Sequence, residues 1–220
     1  MMSRLAEPVR ATDTEAAIVE AARDLLAEGG IRVLSMRAVA ARVGVSATAI
    51  YNYFENKQAL VRHVVNLGFE RFDACLRSAV MAQPEGSVER LRALGEAYIR
   101  FALENRQYFQ VLFAFHSDLP QDIEELPEGG GYTLFRQAVI DAMEAGSIRK
   151  ADPDLLVLYL WTHVHGLVTL LLSCQPDARC RHSGEELKAT ELFSKFHEFR
   201  YYGLQPEVAV SSETGSAAAS

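Results

Sequence analysis

Apolar side chains recur along this chain at intervals of three and four residues, and no stretch alternates with period two. That spacing predicts an all-α fold. Ile18, Ala22, Leu25 and Leu26 mark a first helix that opens near a Thr12 and Glu15 capping box. Met36, Val39, Ala40 and Val43 form the inner face of a short second helix, with Ser35 as N-cap and Gly44 at its end. Ser46 caps a third, on which Ile50 and Phe54 face inward while Thr48, Tyr51 and Asn52 point away. A long helix is expected from Asn56-Lys57 to about Met81, broken by Gln83-Pro84-Glu85-Gly86. Further helices are expected over 88–103, 107–116, 132–145 and 153–174, the last with Asp152 as N-cap and Pro153 in its first turn. Ser183 and Glu186 form a second capping box, opening a final helix to about residue 202. Residues 117–131 read as a flexible connector, and 204–220 as a disordered tail.

The second and third helices, joined by a Gly turn and carrying a polar, aromatic outer face, make a helix-turn-helix. Its second helix is shaped to enter the major groove of DNA. Val43-Gly44-Val45-Ser46, Ala49-Ile50-Tyr51-Asn52-Tyr53-Phe54 and Lys57-Gln58-Ala59-Leu60 closely resemble the DNA-binding signature of the tetracycline-repressor (TetR) family of bacterial regulators. Thr14-Glu15, Ile18, Ala21-Ala22, Leu25-Leu26 and Gly29-Gly30 are similar to that family's first helix and the loop after it. The resemblance covers 14–60 and implies a DNA-binding domain at 13–58, preceded by a flexible arm (1–12) and followed by a larger helical effector-binding and dimerisation domain (59–203). It also implies a homodimeric regulator of a palindromic operator, most simply a repressor. An activator, or a regulator without a ligand, is the alternative within the same class.

Side-chain chemistry and the family pattern together assign roles within the reader. Arg37 can fork onto guanine O6 and N7 or hold a phosphate. Ala47, Thr48 and Ala49 offer methyl groups suited to thymine. Tyr51 and Tyr53 carry hydroxyls within reach of phosphates, Tyr53 being equally suited to packing. Asn52 suits a base or a phosphate, and Lys57 a phosphate.

The formal charge of −7 runs against binding a polyanion. Residues 1–60 are balanced, however, with seven basic and seven acidic side chains, so the whole excess of acid lies in 61–220. Within 31–57, Arg32, Arg37, Arg42 and Lys57 face Glu55 alone. An acidic remainder limits non-specific sticking and does not exclude DNA.

The expected helix at 153–174 carries no Asp, Glu, Lys or Arg between Leu155 and Ser173, long enough for a membrane span. His163, His165, Thr162 and Thr169 within it favour a buried helix instead. A helix apolar all round must face its own core on one side and something else on the other. With Leu192, Phe193, Phe196 and Phe199 following, it suggests a four-helix bundle across a two-fold axis, which is where dimers form in proteins resembling this family. Trp161, His165 and Gly166 also resemble a Trp-His-Gly signature of one TetR C-terminal subgroup. The resemblance further implies an apolar cavity among these helices. Tyr98, Phe101, Phe109, Phe113, His116, Phe135, Trp161 and His165 are its candidate lining, and Gly166 leaves room beside the indole. A small hydrophobic or aromatic effector fits that chemistry.

Other chemistry finds little footing. No Glu has a His three residues later, and His-Glu-x-x-His, Gly-x-Ser-x-Gly and phosphate-cradling Gly motifs are absent. No enzyme activity, cofactor or metal is expected, an all-helical enzyme being the remote alternative. Cys75, Cys174 and Cys180 are odd in number and form no Cys-x-x-Cys pair, which points to a reducing cytoplasm. The first ten residues lack the apolar core of a secretory signal.

Overall fold

The computed structural model describes residues 11–113, 130–173, 180–182, 185–187, 191–196 and 204–205. Helices α1 (Ala11–Gly29), α2 (Met36–Val43), α3 (Ala47–Ile50), α4 (Lys57–Met81), α5 (Val88–Glu104), α6 (Arg106–Phe113), α7 (Gly131–Glu144) and α8 (Pro153–Ser173) follow in chain order, with a 3-10 turn at Gly30–Arg32. The all-α class expected from the periodicity holds. α1 begins at Ala11, so Thr12 lies within its first turn. The chain divides into two compact units, 1–81 with 94–134, and 82–93 with 135–220. In the first of these units the second half of α5 and all of α6 fold with α1–α4.

In the first unit α6 packs on both α1 and α4. Ile18 and Ala22 of α1, Val39 of α2, Ile50 of α3 and Leu60 and Val64 of α4 are sealed from solvent. Each large aliphatic side chain so buried contributes about 1.5–3 kcal/mol. Tyr108 of α6 is 2% exposed. Its ring lies between Arg23 of α1, 5.2 Å from the centroid, and Arg71 of α4, at 4.9 Å. Gly68 of α4 lets α6 approach this closely, since a Cβ there would lie 3.1 Å from both Tyr108 and Leu112. The Asp73 carboxylate of α4 accepts from the Gly131 N–H at 2.7 Å, capping the first turn of α7.

In the second unit Asp152 caps α8 as expected, its Oδ1 accepting from Asp154 N (2.9 Å) and Leu155 N (3.0 Å). Arg136 of α7 pairs with Asp154 at 2.6 Å. Leu156, Val157, Leu160, Val164, Leu167, Val168 and Leu171 form the buried face of α8, which makes it a core helix despite membrane-compatible length and composition. The opposite face carries Leu155 (67% exposed), Leu158, Tyr159 and Leu170 (62%). Gly166 belongs to this outer face and a Cβ on it would meet nothing within 4 Å, so it lines no space beside the indole.

The chain after α8 departs from expectation. Cys180–His182 (β1) pairs antiparallel with Glu185–Leu187 (β2), Arg181 opposite Glu186, where the final helix was expected to open. Ser183 lies outside the described residues, but Glu186, expected in the first turn of a helix, stands in β2 instead. Residues 191–196 are helical. Leu204, expected in the tail, has its carbonyl 2.9 Å from the Arg149 N–H that donates to it.

Candidate nucleic-acid interface

Two serine caps and one glycine shape the reader. Ser35, in extended conformation, accepts from Ala38 N at 3.1 Å and starts α2. Gly44 ends it in the left-handed conformation (φ 79°), which a β-carbon would strain. Ser46 accepts from Ala49 N at 3.1 Å and starts α3. Helical bonding continues past Ile50, with Tyr53 N and Phe54 N both donating to the Ile50 carbonyl at 3.0 Å. Ile50 and Phe54 anchor this helix inward, and Phe54 meets His63 of α4 edge to face at 5.3 Å. The opposite side is open: Arg37, Thr48, Tyr51 (54%) and Asn52 are exposed, while Ala47, Ala49, Tyr53 and Lys57 are half-buried. The candidate contacts therefore line one continuous stretch of α2, α3 and the start of α4.

The four cations of 31–57 divide into two kinds. Both terminal nitrogens of Arg42 bond the two Glu28 oxygens at 3.0 and 3.1 Å, bracing α2 against α1. That hydrogen-bonded carboxylate holds the guanidinium above its ordinary range. The Lys57 ammonium donates to the Ile31 carbonyl at 2.5 Å, tying α4 to the 3-10 turn. A lysine expected to serve phosphate thus also braces the reader, with two of its three N–H donors left over. Arg32 and Arg37 have no partner among the described residues. Neither brace was visible in the sequence, since Glu28 and Ile31 sit 14 and 26 residues from the cations they hold.

The expected effector residues do not all come together. Tyr98, Phe101, Phe109 and Phe113 cluster around Phe72 of α4 in the first unit, their rings 4.8 to 5.8 Å apart where they meet. Phe72 was missed as a member, its place on the long helix having suggested only core. Phe135, Trp161 and His165 belong to the second unit. There Trp161 and His165 lie 6.5 Å apart, and burial pushes the His165 imidazole below its ordinary value. His116 lies outside the described residues. No group of three metal-ligating side chains converges among the described residues.

Residues 18–64 match the bacterial regulatory proteins of the tetR family, and 91–187 match the tetracyclin repressor-like C-terminal domain. The chain is a TetR-family transcription regulator. Among solved structures, a Rhodococcus protein of unknown function is 25% identical, with a TM-score of 0.70 over 90% of this chain and 98% of that one. The Bacillus subtilis transcriptional regulator FadR in complex with stearoyl-CoA is 18% identical, at 0.69 over 86% and 98%. A ketosteroid transcriptional regulator of Mycobacterium tuberculosis is 18% identical, at 0.65 over 92% and 99%. No curated protein matches the sequence. In this TetR-family chain the first matched segment runs from Ile18 to Val64, and so contains both braces and every candidate DNA contact.

Proposed function

We propose that this regulator is a cytoplasmic homodimeric repressor that sets one α3 helix per subunit into a palindromic operator and lets go when an apolar effector binds. One observation carries the proposal: Thr48, Tyr51 and Asn52 stand exposed on an element whose other side, Ile50 and Phe54, is sealed inside. These outward groups hold nothing among the described residues, and methyl, hydroxyl and amide suit base edges and phosphates. Arg37 then reads a guanine, Ala47, Thr48 and Ala49 meet thymine methyls, and Tyr51, Tyr53 and Lys57 take phosphates.

The outer face of α8 supports a dimer. Thr162, Thr169 and Ser173 each donate back to a carbonyl of their own helix at 2.7 to 2.8 Å, and His163 Nδ1 lies 2.6 Å from the Tyr159 carbonyl. With those hydroxyl protons spent, the face between Leu155 and Leu170 asks little of water, and a second copy is the natural cover. The 191–196 segment, with Phe196 43% exposed, would extend it.

For the effector, the ring cluster around Phe72 favours an apolar compound. The acyl chain of the stearoyl-CoA in the Bacillus subtilis structure and the ketosteroid in the name of the Mycobacterium tuberculosis regulator are apolar in this sense, the CoA end of the former being charged. α6 presents Phe109 and Phe113 to the cluster and Tyr108 to Arg23 and Arg71, so parting the rings would move α6 against both α1 and α4. The operator then sees two readers at a changed separation. A gel-shift with the DNA upstream of the protein's own gene tests the core of this. One retarded species of dimer stoichiometry is expected, and no retardation at low salt would refute it.

A further inference from the structure

We infer that Arg32, in the turn between α1 and α2, is a DNA-phosphate contact of the reader, and that Arg42 is not. This rests on the DNA-binding function proposed above. Of the four cations in 31–57, Arg42 is neutralised where it stands: Glu28 takes both its terminal nitrogens. A guanidinium so occupied presents no net charge to a phosphate, and freeing it would leave Glu28 repelling the same DNA. Arg32 is the reverse case. Its side chain is exposed and has no partner among the described residues, while its backbone is fixed. Gly30 turns the chain at φ 68°, Val33 N closes the turn onto the Gly30 carbonyl at 3.3 Å, and Leu34 is buried to 1%. The Lys57 ammonium is fastened to the carbonyl of Ile31, the residue before Arg32, so it lies against the same short turn from which Arg32 projects. Arg37 follows just beyond the Ser35 cap, in the first turn of α2, and is exposed. The electrostatics of binding therefore come from Arg32, Arg37 and Lys57, with Arg42 and Glu28 serving the fold.

Non-specific binding isolates this term, because phosphate neutralisation is independent of sequence. Full-length protein is titrated by fluorescence anisotropy against a mixed-sequence duplex of about 30 base pairs, from about 50 to about 200 mM KCl. Arg32→Gln should make the slope of log Kd against log salt shallower by about 0.9 per subunit, which is about 3.5-fold less affinity lost per contact across that range. Its melting temperature should match the wild type. Glu28→Gln with Arg42→Gln, which removes the neutral pair without leaving a bare carboxylate, should keep the wild-type slope and melt lower. A wild-type slope for Arg32→Gln overturns the inference, as does a slope for the Glu28→Gln, Arg42→Gln double variant shallower by the same amount. Wild-type protein that binds neither this duplex nor its own upstream DNA at the lowest salt would instead sink the functional proposal.

Discussion

Gly68 stands midway along α4 with α6 lying on it. A Cβ at this position would lie 3.1 Å from Leu112 Cδ2, 3.1 Å from Tyr108 Cδ1 and 3.3 Å from Leu112 Cγ. Two effects oppose each other in Gly68→Ala. Alanine in a helix interior is favoured over glycine by about 0.8–1.0 kcal/mol, and overpacking a filled core costs about 1–3 kcal/mol. The sign depends on whether the neighbours can give way by a few tenths of an ångström. Leu112 has rotamers to spare, but Tyr108 does not: it is 2% exposed and sits between Arg23 and Arg71. The overpacking cost should win, leaving the variant about 0–2 kcal/mol less stable. Urea denaturation at fixed protein concentration is the assay, since a dimer's midpoint moves with concentration. The midpoint should fall at unchanged slope, and Tyr108→Leu in the same chain should recover part of the loss through their coupling. A midpoint that rises by the full propensity gain would mean α6 lifts freely from α4, and the route from the ring cluster to the reader through Tyr108 would have to be abandoned.

Other outcomes follow from the same structure. Leu170→Glu, on the 62% exposed position of α8, should convert dimer to monomer by light scattering and abolish operator binding while the reader stays folded; an unchanged dimer would exclude this face. Burial pushes the Asp73 carboxyl above its ordinary 3.8, with the Gly131 N–H pulling the other way. A raised acid gives its full stability below that ordinary value and loses it as pH rises through the folded one, so Asp73→Asn should flatten the stability curve just above pH 3.8; an unaltered curve would refute this. His165 is shifted down from 6.5 by burial, so its contribution is complete above 6.5 and lost as pH falls through the folded value. His165→Gln should therefore blunt the acid-side loss seen in thermal melts. Arg37→Ala should flatten base preference at one position per half-site, about 1–3 kcal/mol in a binding-site selection, and an unchanged consensus would show that it reads no base.

Much of the fold was legible because its signals are local. Ser35, Gly44, Ser46 and Asp152 act within four residues of themselves, so spacing alone placed α2, α3 and the start of α8. The braces were not legible, because no local rule joins Arg42 to Glu28 or Lys57 to Ile31. A count of charges over 31–57 consequently overstated the free positive charge by one: the acid that cancels Arg42 lies three residues outside the window. The expected start of the final helix failed differently: Glu186 pairs across to Arg181 in an antiparallel ladder, a pairing that helical spacing alone does not foresee. For the aromatic residues, periodicity located the helices but not the partition, so Tyr98 and Trp161 were grouped although they belong to different compact units.

The separation of duties within the reader bears on how such a protein changes over generations. Ser35, Gly44, Ser46, Glu28 with Arg42, and Lys57 with Ile31 maintain its shape, while Thr48, Tyr51 and Asn52 are exposed and brace nothing among the described residues. Substitutions at the second group leave the melting temperature almost untouched, since surface changes away from caps and braces shift stability by no more than about 0.5 kcal/mol. On the proposed reading, base preference can therefore drift without the chain ever passing through an unfolded ancestor, and a duplicated copy would be free to acquire a new regulon by altering a handful of outward side chains.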